Sequence, residues 1–433
     1  MGGLLWFPVR KVTHDLTVAD GFLTVVLFWF LLGVAGSLPF MLGLHLSFTD
    51  AVFEAVSGFT TTGATVIAGL DVLPPSILYH RQQVQWLGGM GVIVLAVAVL
   101  PMLGVGGMQL YRAEVSGVTK SEKLTPRLAD TARALWAIYL LLTISCATAY
   151  WLAGMSPFDA ICHAYTTVAT AGFSTHDASI GHFDSPAIEV IATIFMLLGA
   201  INFALHFLFW RRRDMRIYRG DSEVLVFLAV TLGAALLIGL TLVAAGVYGD
   251  SAAGMRYAWF QVVSVITTTG FGTATFADWP LYIPMLLVAL AVVGGCGGST
   301  AGGMKVIRIM LLFKQAEREM VSMVHPSSVN IVKLNGMPVP EPVLKSVWGF
   351  YTLYSLTALV LTLAMLAAGL DLESAIGAVV ASITLLGPGL GDVAASFADV
   401  NAAVKWLAVV GMLVGRLEVF PLLVLFTFTL WRR

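Results

Sequence analysis

Thr60-Thr61-Thr62-Gly63-Ala64-Thr65 is a short polar stretch, centred on glycine, that interrupts otherwise apolar sequence. Three comparable stretches follow it: Thr170-Ala171-Gly172-Phe173-Ser174-Thr175, Thr267-Thr268-Thr269-Gly270-Phe271 and Leu386-Gly387-Pro388-Gly389-Leu390-Gly391. Their central glycines are 172−63 = 109, 270−172 = 98 and 387−270 = 117 residues apart. Such a period accommodates a whole membrane hairpin, so the sequence predicts one module repeated four times around a single axis.

Composition places the chain in a lipid bilayer. Of its 433 residues 58% are hydrophobic and only 11% are charged, and the mean hydropathy is +0.89, which excludes an ordinary soluble domain. Several apolar runs approach or exceed the roughly 20 residues that cross a bilayer; they are 21–44, 86–102, 132–152, 225–247 and 281–295. Three cysteines in apolar surroundings suit small core residues better than disulfides or a metal site.

Each module is predicted to contain a membrane-length helix, a half-helix, the glycine loop and a second long apolar segment. This gives an all-α membrane protein with about eight transmembrane helices and four re-entrant half-helices around a pseudo-fourfold central ion pathway. The predicted repeats are 20–104, 128–211, 221–317 and 341–433. Residues 1–19 are predicted to be the remnant of a preceding helix pair. The predicted cytoplasmic connections are 105–127, 212–220 and 318–340.

The half-helices are recognised by their capping residues. Thr49-Asp50, Ser156-Pro157, Asp250 and Asp371 each precede a short apolar run that leads into a glycine loop. A helix too short to span must end inside the membrane, where irregular backbone is tolerated only if protein or a water-filled cavity surrounds it. We therefore expect the glycine loops to line a wet cavity.

Charge placement predicts the orientation of these loops. Only Arg81, Arg256 and Lys405 lie in the segments that hold the loops, whereas most basic residues lie in or beside the connections between modules. The positive-inside tendency puts the connections in the cytoplasm, so the loops face outward. Acidic residues on the loop side are expected to act partly as helix caps and partly to concentrate cations at the mouth.

The loops suit the coordination of a dehydrated monovalent cation. Such an ion needs several neutral oxygens at once, and backbone carbonyls supply them when consecutive C=O groups point the same way. Glycine permits that backbone because it adopts positive φ without a Cβ clash. A single Thr-Gly pair is usually just a turn, but four of them after four half-helices predict a selectivity filter.

Four stretches carry a family resemblance. They are 57–65, 172–181, 294–308 and 386–391, and Gly415-Arg416-Leu417-Glu418 accompanies them. Together they resemble the TrkH potassium-uptake proteins of the bacterial Trk/Ktr and fungal–plant Trk/HKT superfamily, over nearly the whole chain. This chain departs from the family pattern at Ala171, where a glycine is usual, and at Thr384-Leu385, where asparagines are common.

The resemblance implies the function, the site and the partners. Potassium is the transported ion, glycine at all four central positions favours it over sodium, and no organic cofactor is expected in this chain. The implied potassium ligands, mostly backbone carbonyls, are Thr61, Thr62, Gly63, Thr170, Ala171, Gly172, Thr268, Thr269, Gly270, Leu386 and Gly387. The implied assembly is a homodimer in the bacterial inner membrane with a cytoplasmic nucleotide-binding regulatory subunit of TrkA type, and no nucleic acid is expected as a partner.

The glycine-rich run from Gly294 to Gly303 is the expected gate. A dinucleotide fingerprint fails at Thr300 and a phosphate loop fails at Met304, where lysine is required. Two interpretations remain: close packing of small residues, or a break in the second helix of repeat three that forms the family's movable intramembrane loop. The implied gate residues are Gly295, Gly297, Gly298, Ser299, Thr300, Gly302, Gly303, Lys305 and Arg416.

Arg416 is expected well inside an apolar helix, where a charge needs a partner or a wet path. Glu418 is poorly spaced to pair with it, so we expect Arg416 to bond another module. Lys305 marks either the gate or the cytoplasmic boundary. The histidines His163, His176 and His182 show no metal-site spacing, and His206 is expected to bond within the bundle. No nucleophile–base motif points to an enzyme.

Overall fold

The computed structural model describes residues 18–94, 128–276, 279–280, 282–328 and 330–424, and in these the chain is almost entirely helical, as predicted. The helices in chain order are α1 Val18–Leu44, α2 Phe48–Phe59, α3 Pro75–Val94, α4 Leu128–Leu152, α5 Pro157–Val168, α6 Pro186–Ala200, α7 Phe203–Arg212, α8 Arg216–Arg219, α9 Ser222–Ala244, α10 Ser251–Ile266, α11 Tyr282–Val293, α12 Val306–Val324, α13 Glu341–Ala367, α14 Leu372–Ile383, α15 Ala402–Arg416 and α16 Phe420–Val424. The predictions for 1–17, 95–127 and 425–433 lie outside the described residues.

The first helix of each predicted repeat is long and apolar enough to cross a membrane. These spans are Leu23–Leu44 in α1, Ala132–Leu152 in α4, Ser222–Ala244 in α9 and Glu341–Ala367 in α13. Much of their surface faces outward from the bundle with exposed leucine, valine and aromatic side chains. Such a surface is stable against hydrocarbon rather than water.

A half-helix follows each of these spans at the predicted place. The side chains of Ser156, Asp250 and Asp371 cap α5, α10 and α14 as expected. The expected Thr49-Asp50 cap of α2 is wrong, because α2 begins at Phe48 and the Ser47 hydroxyl accepts from the Asp50 N–H at 3.2 Å. The half-helices span 12 to 16 residues, about 18 to 24 Å at 1.5 Å per residue, and none crosses a bilayer of about 30 Å.

The second long apolar segment of a repeat is not always one unbroken helix. Only α3 runs unbroken to Val94, the last residue described there. In repeat two the chain bends by 97° between α6 and α7, where the Asn202 side chain caps α7 through the Ala204 N–H. In repeat four it breaks after α15, with Glu418 and Val419 at positive φ. The break in repeat three, between α11 and α12, was predicted.

The elements pack in a cycle that gives the molecule its pseudo-fourfold symmetry. The second helix of each repeat lies against the half-helix of the next: α3 on α5, α6 on α10, α11 on α14, and α15 on α2. The last of these contacts brings repeat four back to repeat one. Cys146, Cys162 and Cys296 are buried and form no disulfide among the described residues, as expected of small core residues.

A small hairpin precedes repeat four within the predicted 318–340 connection. Strands β1 Lys333–Leu334 and β2 Met337–Pro338 pair antiparallel, and the turn between them, Asn335-Gly336, has positive φ at both residues as two-residue hairpin turns prefer. The Asn335 side chain accepts from the Ser222 N–H at 2.9 Å. This contact ties the hairpin to the start of α9.

Candidate functional site

The four glycine loops share one backbone pattern. In each loop a residue with positive φ is followed by one with negative φ and then by a glycine with positive φ. In loop one, for example, φ is 54° at Thr61 and 79° at Gly63. The corresponding pairs are Thr170 and Gly172, Thr268 and Gly270, and Leu385 and Gly387. This alternation of handedness turns successive carbonyls toward the same side of the chain. Leu385 therefore belongs to the set, although sequence reasoning missed it because it lacks the threonine that marks the other loops.

The loops meet one another in a closed ring. A Cβ added to Gly63 would lie within 2.6 Å of the Ala171 carbonyl oxygen in loop two. An added Cβ would likewise lie within 2.6 Å of a carbonyl oxygen of another loop at the other three glycines: Gly172 against Thr269 O, Gly270 against Leu386 O, and Gly387 against Thr62 O. Real Cβ atoms essentially never approach another atom closer than 3.0 Å, and all four glycines have positive φ. Glycine is required at each position by close approach as well as by conformation.

Nearly all the carbonyl oxygens of the ring lack a hydrogen-bond donor. Among the described residues, Gln85 alone donates to a carbonyl of residues 61–63, 170–172, 268–270 or 385–387, from its Nε2 to Ala171 O at 2.7 Å. The loops are largely buried, and buried carbonyls normally have partners. Unpaired oxygens that converge from four sides are suited to hold a cation that has shed its water.

Loops one and three are the most alike. The Ser57 hydroxyl donates to Ala64 O at 2.5 Å, and Ser264 donates in the same way to Phe271 O at 2.7 Å. Two threonine hydroxyls meet at 2.8 Å in each loop, Thr60 with Thr62 and Thr267 with Thr269. Loops two and four have no serine at the corresponding position, so the ring is fourfold in its backbone but closer to twofold in its side chains.

A buried ion pair supports loops one and two. Arg81 Nε, on α3, donates to Glu54 Oε1, on α2, at 2.8 Å, and both side chains are fully enclosed. Glu54 also accepts from Thr65 Oγ1 and the Val66 N–H, while Arg81 NH1 donates to Ser174 O at 3.1 Å. The two charges therefore fix the outer ends of two neighbouring loops. The sequence indicated only that Arg81 lies in a segment that holds a loop, and the burial of Arg81 with Glu54 reveals the pair.

The glycine-rich run leaves α11, loops beneath the ring and returns to α12. Gly294 folds back against Gly302 and Gly303, and the Met304 N–H donates to Val292 O at 2.9 Å. The run also pairs with the break in repeat two, because Cys296 N donates to Ala200 O and Phe203 N to Gly298 O. This backbone lies among protein groups that satisfy it, as irregular structure inside a membrane requires.

The same run contacts the ends of the half-helices. Gly302 N donates to Thr268 Oγ1 at 2.6 Å and Gly303 N to Thr384 O at 3.0 Å. The Thr300 hydroxyl lies within hydrogen-bond distance of Val168 O and Gly199 O, and Thr170 Oγ1 donates to the Thr300 hydroxyl.

The first half of the run is held by other groups. Gly297 N donates to the buried Glu223 carboxylate at 2.7 Å, and Ser299 Oγ donates to Cys296 O. Gly295 is packed against Ala200 and Ala301.

Arg416 bonds other repeats, as expected. Its NH1 donates to Thr300 O at 3.1 Å and its NH2 to Gly88 O, on α3, at 3.4 Å. Its expected position inside a helix is wrong: α15 ends at Arg416, where a positive charge also suits the helix dipole. Glu418 pairs instead with Arg308 at 2.5 Å.

Lys305 and His206 are also buried. Lys305 is the residue before α12, has positive φ and turns its Nζ back to Ala301 O, so it belongs with the glycine-rich run. His206 bonds Tyr218 and Leu198 O within the bundle, as expected.

Comparison with known proteins now bears on this geometry. The TrkH family model, described as "Cation transport protein", matches residues 1–431. The chain belongs to the TrkH family. Its relatives include the Trk system potassium uptake protein TrkH of Salmonella typhimurium, 52% identical over 100% of this chain and 90% of that protein. TrkH of Vibrio parahaemolyticus is 53% identical with the same coverage, and TrkG of Escherichia coli is 42% identical over 100% of this chain and 89% of that protein.

A solved TrkH structure agrees with the fold. The crystal structure of the potassium transporter TrkH from Vibrio parahaemolyticus matches with a TM-score of 0.92 at 50% sequence identity, over 100% of this chain and 90% of that chain. The predicted family and all-α membrane fold are confirmed. The TrkH, TrkG and TrkI relatives are transporters rather than enzymes.

Proposed function

We propose that this chain is the potassium-translocating subunit of a Trk-type uptake system, and that the ring of four glycine loops is its selectivity filter. The observation that carries the proposal is the closed ring of buried carbonyl oxygens, nearly all of them without donors among the described residues. The relatives that cover the whole chain are named potassium uptake proteins. The proposed ligands are the carbonyls of the residues that the sequence singled out, with Leu385 added.

The half-helices add an electrostatic contribution. All four end where a glycine loop begins, at Phe59, Val168, Ile266 and Ile383. The C-terminal end of a helix carries a partial negative charge of about half an elementary charge. Four such ends directed at the ring stabilise a cation there and oppose an anion.

We assign the gate to the run from Gly294 to Gly303 together with Lys305 and Arg416. The run crosses between the ends of two half-helices, and its Thr300 carbonyl is held by Arg416. Release of these few contacts would let the run move while α11 and α12 stay in place. A guanidinium beside the path also raises the barrier for a cation.

The assembly follows the family. We propose a homodimer in the bacterial inner membrane, with the loops facing outward and the repeat boundaries predicted from the sequence. A cytoplasmic nucleotide-binding subunit of TrkA type would dock on the connections between repeats. Arginines 211–213, 216 and 219 precede the start of α9, whereas the half-helix α10 starts after the end of α9; this separation supports the cytoplasmic assignment of the connection.

Rubidium uptake into proteoliposomes tests the filter. The wild-type chain should take up rubidium and exclude sodium, and Gly63→Ser should lose that discrimination because a Cβ cannot fit against Ala171 O. Gly233→Ser is the matched control, since nothing lies within 4 Å of the added Cβ. Equal permeability to sodium and potassium in the wild type would contradict the potassium assignment.

One observation favours a less selective sodium/potassium pathway as the second candidate. The Gln85 side chain occupies the Ala171 carbonyl, so loop two offers one fewer free oxygen than its neighbours. Reversal potentials in bi-ionic solutions distinguish the two candidates. A dependence of those potentials on a proton or sodium gradient would indicate coupled symport.

A further inference from the structure

Three potential metal ligands meet on the segments that follow loops one and two. Asp71 lies in the turn Leu70–Val72 after loop one, His176 follows loop two, and His182 lies in the turn Ser179–Phe183. One ligand atom from each lies within 4.8 Å of the other two. The residues are remote in sequence from Asp71, so spacing alone gave no sign of the cluster.

The two imidazoles are held face to face. Their ring centroids are 3.5 Å apart and their planes differ by 2°. Each ring offers one nitrogen atom to the cluster. The hydrogen bond with His176 holds the pKa of the Asp71 carboxyl below its usual range.

The backbone around the cluster is tied to three loops. Gly69 N donates to Asp177 Oδ1 at 3.0 Å, which joins the segments that carry Asp71 and His176. Gly181 N donates to Gly272 O at 3.1 Å, and Gly272 N donates to Ser179 Oγ at 3.2 Å. The frame is thus fixed before a ligand binds, while Asp71 and His182 remain exposed and free to adjust.

We propose that Asp71, His176 and His182 form a binding site for a divalent transition metal of the zinc type. Two imidazoles and a carboxylate are a ligand set that zinc uses, with water in the fourth position. Ligand distances of about 2.0–2.2 Å require that Asp71 Oδ1 and His176 Nδ1, now 2.5 Å apart, separate by about 1 Å. The two stacked rings must also turn, because the nitrogen lone pairs lie in the ring planes and have to point at one metal. Potassium prefers neutral oxygens, so it binds poorly to this set of ligands.

The location suggests a consequence for transport. Asp159 Oδ1, in the first turn of α5, lies 3.6 Å from His176 Nε2, so the site is at the end of the ring where the half-helices start, away from the glycine-rich run. A bound dication there repels incoming monovalent cations and links the segments after loops one and two. This consequence, unlike the binding itself, rests on the proposed function.

Calorimetric titration of the tag-free, detergent-solubilised full chain with ZnCl₂ at neutral pH tests the binding. We expect saturable binding of one zinc per chain and a higher melting temperature with the metal. His182→Ala and Asp71→Asn should each weaken Kd by at least about tenfold, and His45→Ala, an exposed histidine in the α1–α2 connection, should leave it unchanged. No saturable binding, or the same Kd in all three variants with metal-free melting temperatures equal to wild type, would overturn the site.

Rubidium uptake measured with and without zinc tests the consequence. Zinc should reduce uptake by the wild type and leave His182→Ala unaffected. Uptake that zinc does not change would overturn the role at the mouth. Absence of uptake without zinc would instead contradict the proposed transport function, and calorimetric binding would still decide the metal site.

Discussion

Single atoms decide whether the ring can close. Each central glycine touches a carbonyl of the next loop, and its positive φ would be strained for any other residue. Sequence reasoning identified these glycines because a glycine within a polar stretch is a local signal. It identified no contact partner for any of these glycines, since each partner lies about a hundred residues or more away in the chain.

Gly172→Ala should therefore separate loop two from loop three. The methyl group would collide with Thr269 O at a position of positive φ, and overpacking of this kind costs about 1–3 kcal/mol. We expect a lower melting temperature and loss of rubidium selectivity. Gly233→Ala, in open space, is the control, and equal behaviour of the two variants would count against the close approach.

Arg81→Met should destabilise the chain strongly. Removal of one partner leaves the Glu54 carboxylate buried and unpaired, at a cost of about 3–5 kcal/mol. Thermal unfolding of the purified protein measures this cost, and Arg219→Met, at an exposed arginine, should have little effect.

The double variant Glu54→Gln/Arg81→Met provides the internal check. It removes both charges, so it should recover part of the lost stability. A double variant less stable than Arg81→Met would show that hydrogen bonds to the loops, rather than the unpaired charge, account for the loss.

At the scale of elements, the starts of the half-helices were predictable and the breaks in the second helices were mostly not. Capping residues such as Ser156, Asp250 and Asp371 are local signals with a direct physical reason. The bend at Ile201-Asn202 and the break at Glu418-Val419 each have a single glycine nearby, Gly199 and Gly415, rather than a glycine-rich run. They depend on distant partners, including Cys296 N at Ala200 O and Arg308 at Glu418, which no local pattern reports.

Arg416→Ala should raise rubidium flux. It removes the bond from NH1 to Thr300 O and the positive charge beside the run. A hydrogen bond to a charged group is worth about 1.5–3 kcal/mol, so the gate equilibrium should shift roughly tenfold or more toward the open state. Arg416→Lys should have an intermediate effect, and unchanged flux in folded Arg416→Ala protein would refute the barrier.

At the scale of the whole molecule, the circle of repeats is closed by the contact between the last repeat and the first. Lys405 Nζ, on α15, pairs with Asp50 Oδ1, on α2, at 2.7 Å and also donates to Ala398 O. Nearby, Phe397 N donates to Thr65 O at 2.8 Å. The repeat pattern predicted that four modules surround an axis, but the groups that close the circle carry no sequence signature, because they differ from those at the other three contacts.

Lys405→Met should weaken this closure. The loss leaves Asp50 without its partner and should cost about 1–3 kcal/mol, since the pair is largely sheltered. Melting temperature is the primary measurement, and Lys333→Met, at an exposed lysine of the hairpin, is the control. A Lys405→Met protein as stable as this control would show that apolar packing of α15 on α2 closes the circle alone.

Because the ring is made by one polypeptide, its four quadrants are chemically independent. In an assembly of four identical subunits a substitution appears four times and its effects multiply. Here Gln85 holds a carbonyl in one quadrant only, and Ser57 and Ser264 brace two. In the proposed filter, a substitution can therefore change ion preference through one quadrant while the other three quadrants keep their structure.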